Sequence, residues 1–290
     1  MTLLESVPNF SEGRDRDTID ALAAVLDAHA RLLDVHSDVD HNRSVFTVVG
    51  DEAQLVDALT AAVAVAVERI ELRWHEGAHP RVGAADVVPL VPLRPDELER
   101  ARAAAAAVGE RIGAELGLPV FVYAPPERGP AFYRRGGVER LRERLAAGEL
   151  APDYGPTELH ETAGAVILGA RRPLIAFNVD LRGDLATARA IAAAVRESGG
   201  GFPGVRALGL ELPSAGLVQV SMNVEDWEAA ALHEIVDRIR GEAEARGAEV
   251  VRSELVGLMP AGAAARAAGA ALGIDGFDAS RLLELRLADG

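Results

Sequence analysis

Apolar residues open the chain in a short run, Leu3-Leu4-Glu5-Ser6-Val7-Pro8-Asn9, which reads as a strand ended by Pro8, Asn9, Ser11 and Gly13. Across residues 15–29 the positions Ile19, Leu22, Ala23, Val25 and Leu26 recur at helical spacing and predict an amphipathic helix. Two strand-like runs follow, 31–36 and 43–50, around the polar stretch Ser37-Asp38-Val39-Asp40-His41-Asn42. An alanine- and valine-rich helix over 51–72 then leads, through a loop pinned by Gly77, Pro80 and Gly83, into a strand at 86–93. This is a β-α-β-β-α-β order, with a helix at 96–116 and a strand at 119–124 appended.

Past residue 124 the pattern changes. Pro125, Pro126, Gly129, Pro130, Gly136, Gly137, Pro152, Gly155, Pro156 and Gly164 interrupt it, around a short basic helix at 138–147. Such a stretch is a linker or a functional lid and ligand wall; the embedded Phe132, Tyr133 and Tyr154 favour the wall. A second round begins after Arg171: strand 174–180, helix 185–197, a Gly199-Gly200-Gly201 turn, strands 205–212 and 217–224, helix 226–246 and strand 249–258. Small helices after Pro260 form the tail. Two copies of one element order predict an α/β (α+β) protein of two ferredoxin-like β-α-β-β-α-β halves, 1–173 and 174–290, with a ligand cleft between them.

Composition narrows the chemistry. In 290 residues, 49% hydrophobic but only 4% aromatic, the core must be built from Ala, Val, Leu and Ile. There is no cysteine, which removes disulfides, thiolate nucleophiles and Cys-ligated metals. There is no lysine either, so all 30 basic residues are arginine. A lysine Schiff base and a standard P-loop are thereby excluded. A net charge of −15 argues against nucleic-acid binding. No charged-then-apolar leader opens the chain, and no apolar run reaches the ~18 residues a span requires, so a soluble, cytoplasmic protein without membrane contact is expected.

Candidate chemistry gathers in the loop Trp74-His75-Glu76-Gly77-Ala78-His79-Pro80-Arg81-Val82-Gly83. His75 to His79 match H-E-x-x-H, but that motif binds zinc only inside a helix. Gly77 and the extended backbone that Pro80 imposes on His79 deny that context, so no metal is expected. His79 is the candidate proton carrier, because imidazole titrates near neutrality. Arg81 offers a fork for a carboxylate, and Gly83 allows close backbone approach. The stretch 37–43 is a solvated turn or a second polar cluster, with Arg43 a candidate carboxylate anchor and Asp38, Asp40 or Asp86 candidates to orient the His79 ring. No G-x-S-x-G elbow is present. What remains is proton-transfer catalysis on a carboxylate-bearing substrate.

Several blocks resemble the formiminotransferase family. They are Val7-Pro8-Asn9-Phe10-Ser11-Glu12-Gly13, Leu32-Leu33-Asp34-Val35, Asn42-Arg43-Ser44-Val45, and His79-Pro80-Arg81-Val82-Gly83-Ala84-Ala85-Asp86-Val87. Ala151-Pro152-Asp153-Tyr154-Gly155-Pro156, Leu174-Ile175-Ala176-Phe177-Asn178 and Leu255-Val256-Gly257-Leu258 continue the match in order. The resemblance implies two α/β halves enclosing a folate tunnel, and transfer of the formimino group of N-formimino-L-glutamate to N5 of tetrahydrofolate, the co-substrate. It implies His79 as the catalytic base. Substrate-binding positions would be Asn42, Arg43, Arg81 and Gly83, with a folate segment formed by Gly155, Pro156, Thr157, Glu158, Leu159, His160, Glu161, Thr162, Ala163 and Gly164. Small-molecule substrates and a homodimer are expected. Formyl transfer with folate, or a non-catalytic folate-binding module, are the alternatives.

Overall fold

In the computed structural model, which describes residues 3–123 and 128–288, the first strand is two pieces, β1 (Leu4–Ser6) and β2 (Asn9–Phe10). The break falls at Pro8, which has no N–H for the ladder. Helix α1 (Arg16–His29) starts on the Asp15 side chain, which accepts the Asp17 N–H, and buries Ile19, Leu22 and Leu26. Strands β3 (Arg31–Asp38) and β4 (Arg43–Gly50) form an antiparallel pair. Helix α2 (Glu52–Arg69) opens with a capping box between Asp51 and Gln54. It ends short of residue 72, at an extended Ile70, and Leu72–Trp74 form a separate 3₁₀ turn.

Strand β5 (Ala85–Pro92) and helix α3 (Leu98–Leu116) follow, the helix closed by Gly117 at φ 63°. Then come β6 (Val120–Val122), α4 (Pro130–Arg134), α5 (Gly137–Ala146) and β7 (Val166–Ala170). Helix α4 and strand β7 go beyond the sequence expectation. Ala124, Pro125 and Pro126 lie outside the described residues. Strand β7 pairs in parallel with both β5 and β6. Its run is apolar without alternation because both faces are covered.

These elements make one unit, Met1–Arg172. Its sheet runs β3-β4-β1/β2-β5-β7-β6, a ferredoxin-like order extended by two parallel strands. One apolar cluster joins Ile19, Leu22, Leu55, Leu59, Val108 and Ile112 of the three long helices to Phe46, Val48, Val88, Leu90 and Leu168 of the strands. A second cluster, on Val87, Phe121 and Ile167, is covered by Tyr133 and Leu141 of α4 and α5. Because β2 runs antiparallel to both β4 and β5, the first residues of β4 and β5 reach the same end of the sheet. The candidate site is built at that end.

The other unit, Pro173–Gly290, has its own sheet. It consists of β8 (Ile175–Arg182), α6 (Leu185–Val195), β9 (Val205–Leu212), β10 (Leu217–Val224), α7 (Leu232–Ala245) and β11 (Glu249–Val256), followed by α8 (Ala261–Leu272) and α9 (Leu283–Ala288). The order β11-β8-β10-β9 is ferredoxin-like and antiparallel throughout. The helix expected at 226–246 begins only at Leu232, because Asp226 spends its side chain on the Ala229 N–H at 3.0 Å, holding a turn. Among the described residues no helix is long and apolar enough to cross a membrane.

Candidate active site

Asp86, at the start of β5, is fully buried. One carboxylate oxygen accepts the Val82 N–H at 2.8 Å; the other meets Arg43 at 2.7 Å and Arg134 at 2.6 Å. Arg43 stands at the start of β4, and its Nε donates to the Asn9 side chain at 3.1 Å. Burial alone would raise the Asp86 carboxyl, but the two guanidiniums and the Val82 N–H outweigh it and hold it well below the usual carboxylate range. Burial pulls Arg43 down to about 10, still cationic at neutral pH. Two guanidiniums on one carboxylate leave a net positive charge, local relief from the chain's overall −15.

His79 is half-buried in the loop that precedes β5. Its Nδ1 lies 2.8 Å from the Pro80 carbonyl, which only accepts, so Nδ1 carries the hydrogen and Nε2 keeps the lone pair. Burial, then the Arg43 and Arg134 cations, push the ring's pKa well below its ordinary value, with Asp86 opposing. The result is an imidazole that is neutral at pH 7 with a free basic nitrogen. The His41 ring stands 6.1 Å away, centroid to centroid.

The loop is held by bonds to its own backbone. Arg81 Nη2 donates to the His79 carbonyl at 2.6 Å and to the His41 carbonyl at 3.1 Å. Ala78 N–H donates to the Asp40 carbonyl at 2.9 Å. Asn42, at φ 46°, donates to the Glu76 carbonyl and accepts the Gly13 N–H, both at 2.9 Å. Gly77 packs so closely on the His41 carbonyl that no Cβ fits. H-E-x-x-H therefore falls on irregular backbone, and His75 bonds Arg81. Burial first, then Arg81, brings His75 down to about 4.

The sequence-predicted residues divide into groups. His79, Arg43, Asn42 and Asp86 come together, and His41, Asn42 and Arg43 are buried, so this part of 37–43 is no solvated turn. Arg81 lies beside them as a clamp on loop carbonyls. Of the acids considered for orienting the ring, Asp86 lies with the arginines, while Asp38 accepts the His41 N–H at 2.6 Å.

The segment 155–164 buttresses the same loop. Gly164, at φ 69°, presses on the Val82 carbonyl and bridges Gly83; Gly155, at φ 80°, presses on the Leu118 carbonyl. The His160 and Gly164 amides exchange two 3.0 Å bonds, and the Ala163 carbonyl accepts the Ala84 N–H at 2.9 Å. The Thr162 carbonyl accepts from Leu72, Glu161 pairs with Arg73 at 2.8 Å, and Leu159 packs on the cluster beneath α4. Pro156, Thr157 and Glu158 are exposed.

Sequence reasoning missed Arg134. The available signal was its place beside Phe132 and Tyr133 in the stretch read as a ligand wall. A half-buried neutral base beside clustered cations can remove a proton from a nucleophile while a carboxylate-bearing partner is held nearby.

The chain is similar to known proteins over nearly all of its length. The formiminotransferase domain, N-terminal subdomain, matches residues 3–171, and the formiminotransferase domain matches 176–271. A glutamate formimidoyltransferase of Streptococcus pyogenes serotype M1 is 40% identical over 284 residues, 95% of each chain. One of Thermoplasma acidophilum is 40% identical over 99% of this chain and 98% of its own. The formimidoyltransferase-cyclodeaminase of Rattus norvegicus is 38% identical over 89% of this chain and 50% of its own. This chain belongs to the formiminotransferase family.

Proposed function

We infer that this protein is a folate-dependent one-carbon transferase that moves the formimino group of N-formimino-L-glutamate onto N5 of tetrahydrofolate, releasing L-glutamate. The observation that carries the reading is near-full-length similarity to two stand-alone proteins named for this reaction. The site supports it independently through a neutral imidazole beside two arginines.

In the mechanism, N5 attacks the formimino carbon and a tetrahedral adduct forms. His79 Nε2 takes the N5 proton, a task worth about 10²–10⁴-fold for a well-placed base. Arg43 and Arg134 supply the positive field that draws in carboxylates. Arg81, with Asn42 and Gly83, keeps the loop in the shape that aims His79. The segment 155–164 forms the folate contact while bracing 82–84. No step requires a metal. The finer reading is of a cytoplasmic homodimer; exposed Leu33 and Val35 on β3 offer apolar surface that self-association would cover, and solution mass measurement checks it.

The decisive assay mixes protein, formiminoglutamate and tetrahydrofolate, then acidifies and reads methenyl-folate absorbance. A signal no larger than the no-protein control overturns the reading. A faster rate with formylglutamate in the same assay design would favour formyl transfer instead.

A further inference from the structure

His41 is 7% exposed, yet its Nε2 has no hydrogen-bond partner among the described residues. An unpaired buried ring nitrogen costs folding free energy, and proteins satisfy nearly all such groups. The peptide of His41 is firmly placed: its N–H donates to Asp38 at 2.6 Å and its carbonyl accepts from Arg81 at 3.1 Å. So the residue is fixed while its ring nitrogen is left open. Arg81 also holds the His79 carbonyl, so one guanidinium sets the spacing of both imidazoles. Their centroids are 6.1 Å apart with planes inclined by 43°. The two imidazoles are therefore close neighbours.

We propose that His41 is a second catalytic residue of formimidoyl transfer, delivering through Nε2 the proton that the departing glutamate nitrogen needs. This rests on the reading above. After attack, His79 Nε2 holds the former N5 proton. A lone pair on the other amidine nitrogen re-forms a C=N bond, and the bond from carbon to the glutamate nitrogen breaks with its electron pair on nitrogen. The His41 proton adds there, so glutamate leaves as the free amine and the formimino group remains on N5. Before the next turnover His79 gives up the N5 proton and His41 takes one up, which restores both rings. Arg43 and Arg134 flank the base, while Asp38 fixes the His41 backbone by accepting its N–H at 2.6 Å.

The test uses full-length His41→Ala and His41→Gln beside the unaltered protein. Folding is checked by thermal melting, and kcat and KM are measured for both substrates. His41→Ala is expected to lose at least about a hundredfold in kcat, the low edge of general acid catalysis, with KM little changed. Added imidazole restores its rate, and His41→Gln, which keeps a hydrogen-bonding amide but has no transferable proton, stays slow. An undiminished kcat, a loss that imidazole does not restore, or a fully active Gln variant overturns the proposal. If the Ala variant does not fold, the Gln variant decides alone. Silence from the unaltered protein overturns formimidoyl transfer itself, whereas activity that is indifferent to His41 overturns only this assignment.

Discussion

Burial first, then Arg43 and Arg134, disfavour the imidazolium form of His79, so the ring stays neutral well below the ordinary histidine range. A base of this kind is expected to keep kcat/KM level through about pH 6.5, where an ordinary histidine would lose half its basic form. A pH–rate profile reads this directly, and an acid limb at the ordinary value would contradict it. His79→Ala is expected to lower kcat by about 10²–10⁴-fold while equilibrium folate binding persists, because the ring is needed for proton transfer rather than grip.

Asp86 makes a different statement, since it is the shared counter-charge of the buried Arg43 and the partly buried Arg134. Asp86→Asn leaves both guanidiniums uncompensated and is expected to cost about 3–5 kcal/mol in urea unfolding. A loss under about 1 kcal/mol, the scale of an exposed pair, would mean that water reaches the arginines freely. His79 and Arg43 were legible from residue type and loop setting. The pairing of Asp86 with Arg134 was not, because it depends on α4 folding over the sheet, a contact without local pattern.

Among elements, strands with alternating faces were the easiest to read. β9 and β10 fall on their expected bounds, and in β10 the apolar Val218, Val220, Met222 and Val224 alternate with the polar Gln219, Ser221 and Asn223. Strand β7 went unread because a short, wholly apolar run carries no period. Helix ends shifted where a side chain competes with the helix, as Asp226 does before α7.

The glycine-rich segment looked like a lid or wall from its punctuation alone. Its close packing on 82–84 gives those glycines a further reason to be there. Gly164 combines φ 69° with a Cβ position that collides with the Val82 carbonyl. Gly164→Ala is expected to destabilise by on the order of 1–3 kcal/mol and to reduce kcat by loosening the loop that aims His79. Chemical denaturation and steady-state kinetics on the same preparation check both parts; a fully stable, fully active variant would separate this segment from the site.

For the whole molecule, acid is the informative variable. His75 and His79 both have folded-state pKa values below the unfolded value near 6.5, His75 at about 4. Between those limits the unfolded chain binds protons that the folded chain refuses, so stability falls as pH drops from about 6.5 towards 4. Each histidine contributes at most about 1.4 kcal/mol per pH unit. Urea midpoints taken across this window test the sign, and a midpoint that rises on acidification would refute it.

The two units carry separate cores, and this sets the last expectation. Ile175, Val179 and Leu181 of β8, with Val218, Val220 and Val224 of β10, pack beneath Ile191 of α6 and Ile235 and Ile239 of α7. The alternate positions on those strands are polar: Asp180 accepts from Gln219 and from Arg252, both at 2.8 Å, and Asn178 donates to Glu254 at 3.0 Å. Asn178, Asp180 and Gln219 are buried, but each finds a partner within the same sheet. Residues 173–290 expressed alone are therefore expected to give a mixed α/β circular dichroism spectrum and one cooperative urea transition. They should be inactive, because His79, Arg43, Asp86 and Arg134 all belong to the first unit. A fragment that melts without cooperativity would show that the cluster around Ile235 needs the rest of the chain to form.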